Sequence, residues 1–150
     1  MKTVRQGCFE TNSSSTHSIT MCKESDFNKW KNGEIYYCQD DGKFYNEEER
    51  IRIIKEHIIY DRAKYNDGKK TYKGVIVPYS EVNKFYTEEN LSEITDEDIQ
   101  KYLDENFDYY EIPITYRDWD NYFEYEKYKD SYTTDGGETV IAFGYYGQDY

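Results

Sequence analysis

The clearest periodic pattern in the chain is a row of isoleucines between positions 51 and 59, spaced as on one face of an α-helix. Asn46 is followed three residues later by Glu49, which resembles a capping box at the start of a helix. The turn-forming residues Asn66-Asp67-Gly68 come after the isoleucines. The pattern therefore predicts one helix that ends near these turn residues.

A second capping box lies further along the chain. Thr95 is followed three residues later by Asp98, and each side chain can satisfy a free backbone N–H group of a first helical turn. The apolar residues Ile99 and Leu103 come next at helical spacing. We therefore expect a second helix from this point.

Most of the remaining apolar patterns are typical of β-strands. Polar and apolar residues alternate from His17 to Cys22, and Asp40-Asp41-Gly42 separates two short extended segments, which predicts a hairpin. Further extended segments are predicted at Val75-Ile76-Val77 before Pro78, at Tyr109–Tyr116, and at Tyr122–Tyr132 and Thr139–Phe143 around the turn Asp135-Gly136-Gly137. These patterns predict an α+β fold with an antiparallel sheet and two or three helices.

Composition indicates that the chain folds as a globular domain. The 150 residues carry a formal net charge of −12, and strong net charge with low hydropathy is typical of disorder. Aromatic residues nevertheless make up 19% of the chain, including 19 tyrosines, and each can bury a large apolar area. We expect a single domain over residues 1–150, because two smaller cores would be only marginally stable.

The charge is unevenly distributed along the sequence. Residues 1–23 contain three basic residues and one acidic residue, a balance of +2, so residues 24–150 hold −14. The sequence thus predicts a slightly basic, Ser/Thr-rich segment followed by an acidic body. Direct binding to nucleic acid is disfavoured, because the acidic body would repel the phosphate backbone.

Neither a membrane span nor a secretory signal is predicted, because no stretch is long and apolar enough for either. The three cysteines, Cys8, Cys22 and Cys38, lack the spacing of a metal-binding pair, and their odd number does not suit a disulfide framework. Reduced thiols are expected. These features predict a cytoplasmic protein without a metal or a cofactor.

The first candidate site is the N-terminal segment. The hydroxyl-rich run from Thr11 to Thr16 predicts a turn, and backbone N–H groups in such a turn can hold a phosphate. The candidate ligand-binding residues are Arg5, Asn12, Ser14, Ser15 and His17. In an enzyme, Arg5, Ser15 and His17 would be catalytic, with His17 as a general base. A turn whose hydroxyls bond to their own backbone is the simpler alternative and is favoured by a modest margin.

The second candidate site is an acidic surface rich in tyrosine. Carboxylates are dense in residues 96–111 and 118–130, and a row of carboxylates on a rigid body can imitate the charge of a nucleic-acid strand. Tyrosines can supply strong contacts to a partner protein. The candidate partner-binding residues are Asp96, Glu97, Asp98, Asp104, Glu105, Asp108, Glu111, Asp118, Asp120, Tyr122, Glu124, Tyr125 and Glu126. The alternative is an ordinary solvated surface.

The segment from Arg5 to Ser18, with the letters R-Q-G-C-F-E-T-N-S-S-S-T-H-S, resembles the N-terminal motif of small, uncharacterised proteins from phages and mobile elements of Firmicutes. The resemblance covers about a tenth of the chain and implies a phage or prophage setting, without an assigned activity. In that setting, compact acidic proteins are often counter-defence factors, including anti-CRISPR proteins that keep DNA out of an RNA-guided nuclease.

These observations lead to three hypotheses about the function. The leading hypothesis is an inhibitory binding protein, not an enzyme, that docks its acidic surface on a basic host or defence protein such as an RNA-guided nuclease. The alternative is an enzyme or binder that acts on a nucleotide-like phosphate ligand through the N-terminal motif. The third is an accessory phage protein whose acidity serves only solubility.

Overall fold

The computed structural model describes residues 7–10, 15–105, 110–121 and 126–148, with side chains described for 19–105, 110–121 and 126–145. The strands are β1 (Gly7–Glu10), β2 (Ser15–Lys23), β3 (Tyr36–Cys38), β4 (Lys43–Tyr45), β5 (Lys64–Asn66), β6 (Lys69–Tyr72), β7 (Val75–Pro78), β8 (Glu126–Thr133) and β9 (Thr139–Gln148). The helices are α1 (Glu24–Lys31), α2 (Glu47–Arg62), a 3-10 helix (Tyr79–Phe85), α3 (Glu88–Ser92), α4 (Asp96–Glu105) and α5 (Tyr116–Asp120).

The α+β class and the antiparallel strand pairing are confirmed. The strands form three small sheets, and the described residues hold five α-helices and one 3-10 helix rather than two or three helices. The additional helices are short: α3 and α5 have five residues each. So few residues leave no periodic apolar pattern in the sequence, which is why they were not predicted.

The chain forms two compact units, residues 1–47 with 113–150 and residues 48–112, which we call the first and the second unit. The expected single domain stays a prediction. The first unit is built on an antiparallel sheet in the order β1-β2-β9-β8. The strand predicted from His17 to Cys22 lies within β2, and the predicted C-terminal hairpin is β8–β9, with Thr133 opposite Thr139.

Aromatic rings fill the core of the first unit. Trp30 on α1 is fully buried, and its ring centroid lies 5.0 Å from that of Tyr116 and 5.1 Å from that of Phe143. Its indole N–H donates a hydrogen bond to the carbonyl oxygen of Ile114 at 3.1 Å. This bond satisfies the one polar group of a side chain that packs against several aromatic rings.

A buried hydrogen bond joins the sheet to the predicted hairpin β3–β4. The hydroxyl oxygens of Thr20 and Tyr37 lie 2.5 Å apart, and both residues are buried. Tyr37 lies opposite Phe44 in the β3–β4 pair, which confirms the predicted hairpin. Because each hydroxyl is the partner of the other, neither is left unsatisfied in the aromatic core.

Aliphatic side chains fill the core of the second unit. Its buried members are Ile54, Ile58, Ile59, Ala63, Tyr72, Val77, Val82, Phe85, Leu91, Ile94, Ile99 and Ile112. The isoleucine row of α2 thus faces this core, as its spacing predicted. The unit also contains the antiparallel sheet β5-β6-β7, in which β7 is an edge strand.

The expected end of α2 is wrong. The helix ends at Arg62, and Asn66-Asp67-Gly68 lies at the connection between β5 and β6. Asp67 and Gly68 have φ angles of 49° and 74°, which a two-residue hairpin turn of type I′ requires. An Asn-Asp-Gly signal indicates a change of direction, and here it reverses a strand rather than ending a helix.

Two other expectations need correction. The expected turn over Thr11–Thr16 is wrong for Ser15 and Thr16, which lie in β2, and residues 11–14 lie outside the described residues. The expected extended segment Tyr109–Tyr116 is wrong over most of its described length: residues 110–112 form a bend, Ile114 makes an isolated bridge to Tyr37, and Tyr116 begins α5, while Tyr109 lies outside the described residues. At the start of α5 the Thr115 hydroxyl accepts a hydrogen bond from the backbone N–H of Asp118 at 3.1 Å, an N-cap that nucleates a helix.

Candidate interaction surfaces

Only part of the predicted N-terminal site falls within the described residues. Ser15 and His17 both lie in β2, where Ser15 pairs with Gln148 and His17 pairs with Phe9 on one side and Tyr146 on the other. Arg5, Asn12 and Ser14 lie outside the described residues. The structure therefore brings two of the five candidates into one strand and leaves the phosphate-binding hypothesis a prediction.

The predicted acidic surface is divided between the two units. Asp96, Glu97, Asp98, Asp104, Glu105 and Glu111 belong to the second unit, and Asp118, Asp120 and Glu126 belong to the first. Asp108, Tyr122, Glu124 and Tyr125 lie outside the described residues. Every described member is exposed except Asp98, which is half-buried. The largest described group is carried by α4.

Helix α4 displays carboxylates at both of its ends. Asp96, Glu97, Asp104 and Glu105 are exposed, and we call these four residues the α4 surface. Within the described part of the chain, Asp96, Glu97 and Glu105 have no ion pair, whereas Asp104 accepts a hydrogen bond from Gln100 at 2.9 Å. Their negative charge is therefore available to a cationic group of another molecule.

A confirmed capping box holds α4 in place. The backbone N–H of Thr95 donates to the Asp98 carboxylate at 2.9 Å, and the backbone N–H of Asp98 donates to the Thr95 hydroxyl at 3.1 Å. The hydrogen bonds from Thr95, together with Arg62 at 3.3 Å, lower the pKa of Asp98. Acidic residues in the first turn also interact favourably with the helix dipole. The sequence therefore specifies both the start of α4 and its charge.

A cleft between α2 and α4 has a volume of about 260 Å³. Its lining includes Arg62 and Lys101 as well as Asp61, Asp98 and Glu105, so charges of both signs alternate around it. The volume lies below the range of about 300–1,000 Å³ for small-molecule sites, and mixed charge gives no net attraction for a phosphate. The cleft does not suit the nucleotide-like ligand of the alternative hypothesis.

The sheet β5-β6-β7 carries a positive charge that the sequence analysis missed. Residues 62–80 contain five basic residues and one acidic residue, a balance of +4, while the rest of the second unit holds −10. We call β5–β7 the basic sheet. A charge count in short windows would have revealed it, but the average over residues 24–150 conceals it. The second unit therefore has two surfaces of opposite sign.

Large apolar side chains are exposed on and beside the basic sheet. The exposed fractions are 63% for Tyr65, 61% for Ile76, 55% for Tyr79 and 54% for Val75. The Tyr60 hydroxyl donates a hydrogen bond to the Tyr79 hydroxyl at 2.9 Å. Tyr65 and Val75 lie opposite the buried Lys70 and Tyr72, so they belong to the other side of the sheet from Ile76 and these groups do not form one continuous patch.

Lys70 fixes the basic sheet to the end of α2. The residue is buried, and its ammonium group lies 4.3 Å from the centroid of the Tyr60 ring. The same group donates a hydrogen bond to the carbonyl oxygen of Ala63 at 3.4 Å. A cation over a ring face and a carbonyl partner together offset part of the cost of burying a charge. Lys70 is therefore a structural residue and not part of the exposed charge.

The described cysteines do not have the properties of a reactive site. Burial raises the pKa of Cys22 to about 12 and that of Cys38 to about 11, so both thiols are protonated at neutral pH. Because the thiolate is the nucleophile, neither residue is activated for covalent chemistry. Among the described residues, no group of three or more His, Cys, Asp and Glu side chains is arranged to hold a metal ion.

No protein-family model matches the chain, and no curated protein and no solved structure has significant similarity to it. No helix in the described ranges is long and apolar enough to cross a membrane.

Proposed function

We propose that this chain is a phage-encoded, cytoplasmic binding protein of the anti-CRISPR type, without enzymatic activity. Its acidic, tyrosine-rich surface occupies the basic nucleic-acid site of a host defence protein such as an RNA-guided nuclease. The phage setting derives from the N-terminal resemblance. The observation that carries the docking mode is the α4 surface, with exposed carboxylates that lack ion pairs in the described part of the chain.

The spacing of these carboxylates supports electrostatic docking. Glu97 and Glu105 are eight positions apart on α4, which corresponds to about 12 Å along a helix axis. Each belongs to an adjacent acidic pair, so the helix presents two negative patches rather than the continuous row of a DNA strand, with its charge about every 3.4 Å. Two fixed patches can steer and orient the protein on a channel lined by Lys and Arg.

Neutralisation of the α4 surface tests the proposal. The variant Glu97→Gln/Glu105→Gln removes two charges and keeps the side-chain size. The matched control Glu48→Gln/Glu89→Gln removes two exposed carboxylates elsewhere in the second unit, so both variants have the same net charge. Binding is measured to purified, guide-loaded RNA-guided nucleases of Firmicutes, with inhibition of target-DNA cleavage as the second readout.

We expect the α4 variant to bind about tenfold more weakly than the control, because a tenfold loss needs only about 1.4 kcal/mol. Wild-type binding should weaken steadily as salt rises, because exposed charges are screened. Equal loss in both variants, or binding that high salt leaves unchanged, would contradict docking through α4. Failure of every nuclease to bind would overturn the assignment to RNA-guided defence.

The variant Arg5→Ala/His17→Ala separates this proposal from the alternative one. The two residues belong to the N-terminal motif and not to the acidic surface. Nuclease binding should therefore be unchanged in this variant. If this variant lost binding while its circular dichroism spectrum stayed unchanged, the N-terminal motif and not the acidic surface would be the binding region.

A further inference from the structure

We propose that the basic sheet of one copy of this chain docks on the α4 surface of a second copy. The two surfaces differ and both belong to the second unit, so a contact that uses only one surface of each copy is head-to-tail. Each copy would then present one free sheet and one free α4 surface, so association would continue beyond the dimer. The inference concerns self-association and does not depend on the proposed function.

The solvent-facing side of the basic sheet suits an acidic partner. Lys70 and Val77 are buried on the inner side, so the alternation along the strands places Lys69 and Ile76 on the outer side. Lys64 lies opposite Thr71 in the register and therefore shares the outer side. No carboxylate belongs to the strands β5, β6 and β7. The outer side thus combines positive charge with exposed apolar surface.

The two outer lysines are free to bind another molecule. Lys64 and Lys69 are exposed and have no ion pair in the described part of the chain, whereas Lys73 pairs with Glu93. The exposed edge-strand residue Ile76 shares the outer side with these charges, whereas Val75 lies opposite the buried Tyr72 and belongs to the inner side. An occupant of this surface must therefore supply carboxylates and cover an aliphatic side chain.

Charge and side-chain chemistry exclude two other occupants. A symmetric contact between two basic sheets would place lysines against lysines, which is repulsive across an antiparallel contact. A nucleic acid would meet only the aliphatic Ile76 and no aromatic face on the outer side of these strands, because Tyr65 lies opposite the buried Lys70 and belongs to the inner side, and stacking requires aromatic faces. The α4 surface offers unpaired carboxylates at both ends of a rigid helix.

The ionic strength provides a distinctive signature of this contact. Each copy carries −12, so at about 0.01 M salt, where the Debye length is about 30 Å, whole copies repel each other. At about 0.15 M salt the Debye length is about 8 Å, so the repulsion between distant charges of the two copies is screened more than the attraction between the charges at the contact. At about 1 M the contact is screened too. Self-association should therefore pass through a maximum near physiological salt.

Sedimentation velocity of the full chain tests the proposal with two complementary variants. Lys69→Gln/Ile76→Gln removes the sheet contact and leaves α4 intact. Glu97→Gln/Glu105→Gln removes the α4 contact and leaves the sheet intact. The control Glu48→Gln/Glu89→Gln changes neither surface. Circular dichroism confirms that each variant is folded.

We expect wild type and control to show a mass that rises with concentration, and each contact variant alone to associate at least about tenfold more weakly. An equimolar mixture of the two contact variants should form dimers and nothing larger, because only one intact pair of surfaces remains. The proposal would be overturned if the wild-type chain stayed monomeric at concentrations up to about 1 mM. A dissociation constant of that size corresponds to a binding free energy of only about 4 kcal/mol. A monomeric mixture, or a sheet variant that associates like wild type, would overturn it too. Nuclease binding by the sheet variant is a separate measurement, so the two proposals can fail independently.

Discussion

The two units of the chain have the same formal net charge, but their cores contain different types of side chains. Each unit has a net charge of −6. The first buries aromatic rings around Trp30, and the second buries aliphatic side chains of α2 and its neighbours. The high aromatic content therefore stabilises mainly one half of the molecule. Composition averaged over the chain describes neither core.

Buried and exposed tyrosines both occur in this chain. In the first unit, Tyr37 is buried and hydrogen-bonded to Thr20. In the second unit, Tyr65 and Tyr79 are exposed beside the basic sheet, with ring centroids 6.1 Å apart. Tyr72 of the same unit is buried in its core, so burial depends on the position of each tyrosine and not on the unit. The number of tyrosines in a sequence therefore does not show how many of them are buried.

The largest expected effect comes from removing the centre of the aromatic core. Trp30→Ala should lower the free energy of unfolding of the first unit by about 4 kcal/mol, because a large buried ring is replaced by a cavity. Trp119, the second of the two tryptophans, lies in the same unit and reports its unfolding by fluorescence in urea. A loss below about 1 kcal/mol would contradict a core centred on Trp30.

The matching substitution in the aliphatic core should have a slightly smaller effect. Ile54→Ala should lower the free energy of unfolding by about 3 kcal/mol. Far-UV circular dichroism follows the helices α2 and α4 of the second unit, while fluorescence follows the first. Separate transitions in this variant would establish two independent units. Coincident transitions would establish the expected single cooperative domain.

Removing one partner of the buried hydroxyl pair should have a moderate effect. Tyr37→Phe leaves the Thr20 hydroxyl buried without its partner, which should cost about 1–2 kcal/mol in urea denaturation. The double variant Thr20→Val/Tyr37→Phe removes both polar groups and should recover most of the loss. If the double variant is less stable than Tyr37→Phe alone, the contribution of these two side chains to stability comes from packing rather than from their hydrogen bond.

The smallest expected effect is confined to acidic pH. The pKa of Asp98 is lowered in the folded protein, so its carboxylate contributes stability above the unfolded pKa of about 3.9. That contribution is lost as the pH falls through the lower, folded pKa. Wild type should therefore lose more stability than Asp98→Asn between about pH 5 and pH 2, measured by thermal unfolding. Parallel pH profiles would contradict the role of Asp98 in the capping box.

Local signals explain which elements could be predicted. The isoleucine spacing of α2 and the Thr95–Asp98 capping box act within one or two helical turns, so the sequence alone identifies both helices. The Asn66-Asp67-Gly68 signal correctly indicated a reversal of the chain. Its role as a hairpin turn depends on the pairing of β5 with β6, which is not local.

The acidic site was predicted in part, and the basic sheet was not. The carboxylates of α4 are consecutive in sequence and therefore visible as a cluster. The run Val75-Ile76-Val77 forms an edge strand, and only the packing of the sheet decides that Val77 is buried while Val75 and Ile76 are exposed. The turn expected at Ser15 became a strand because Ser15 pairs with Gln148, far away in the chain.

The sequence by itself determined the α+β class, the two long helices and the total charge, because these depend on residue type and short-range spacing. The tertiary structure decided how that charge is arranged. It placed the lysines of residues 64–73 on one small sheet and the carboxylates of α4 on a separate helix of the same unit. Each cluster is local in the sequence, but only strand pairing and packing decide that Lys64 and Lys69 share the exposed side of the sheet while Lys70 is buried.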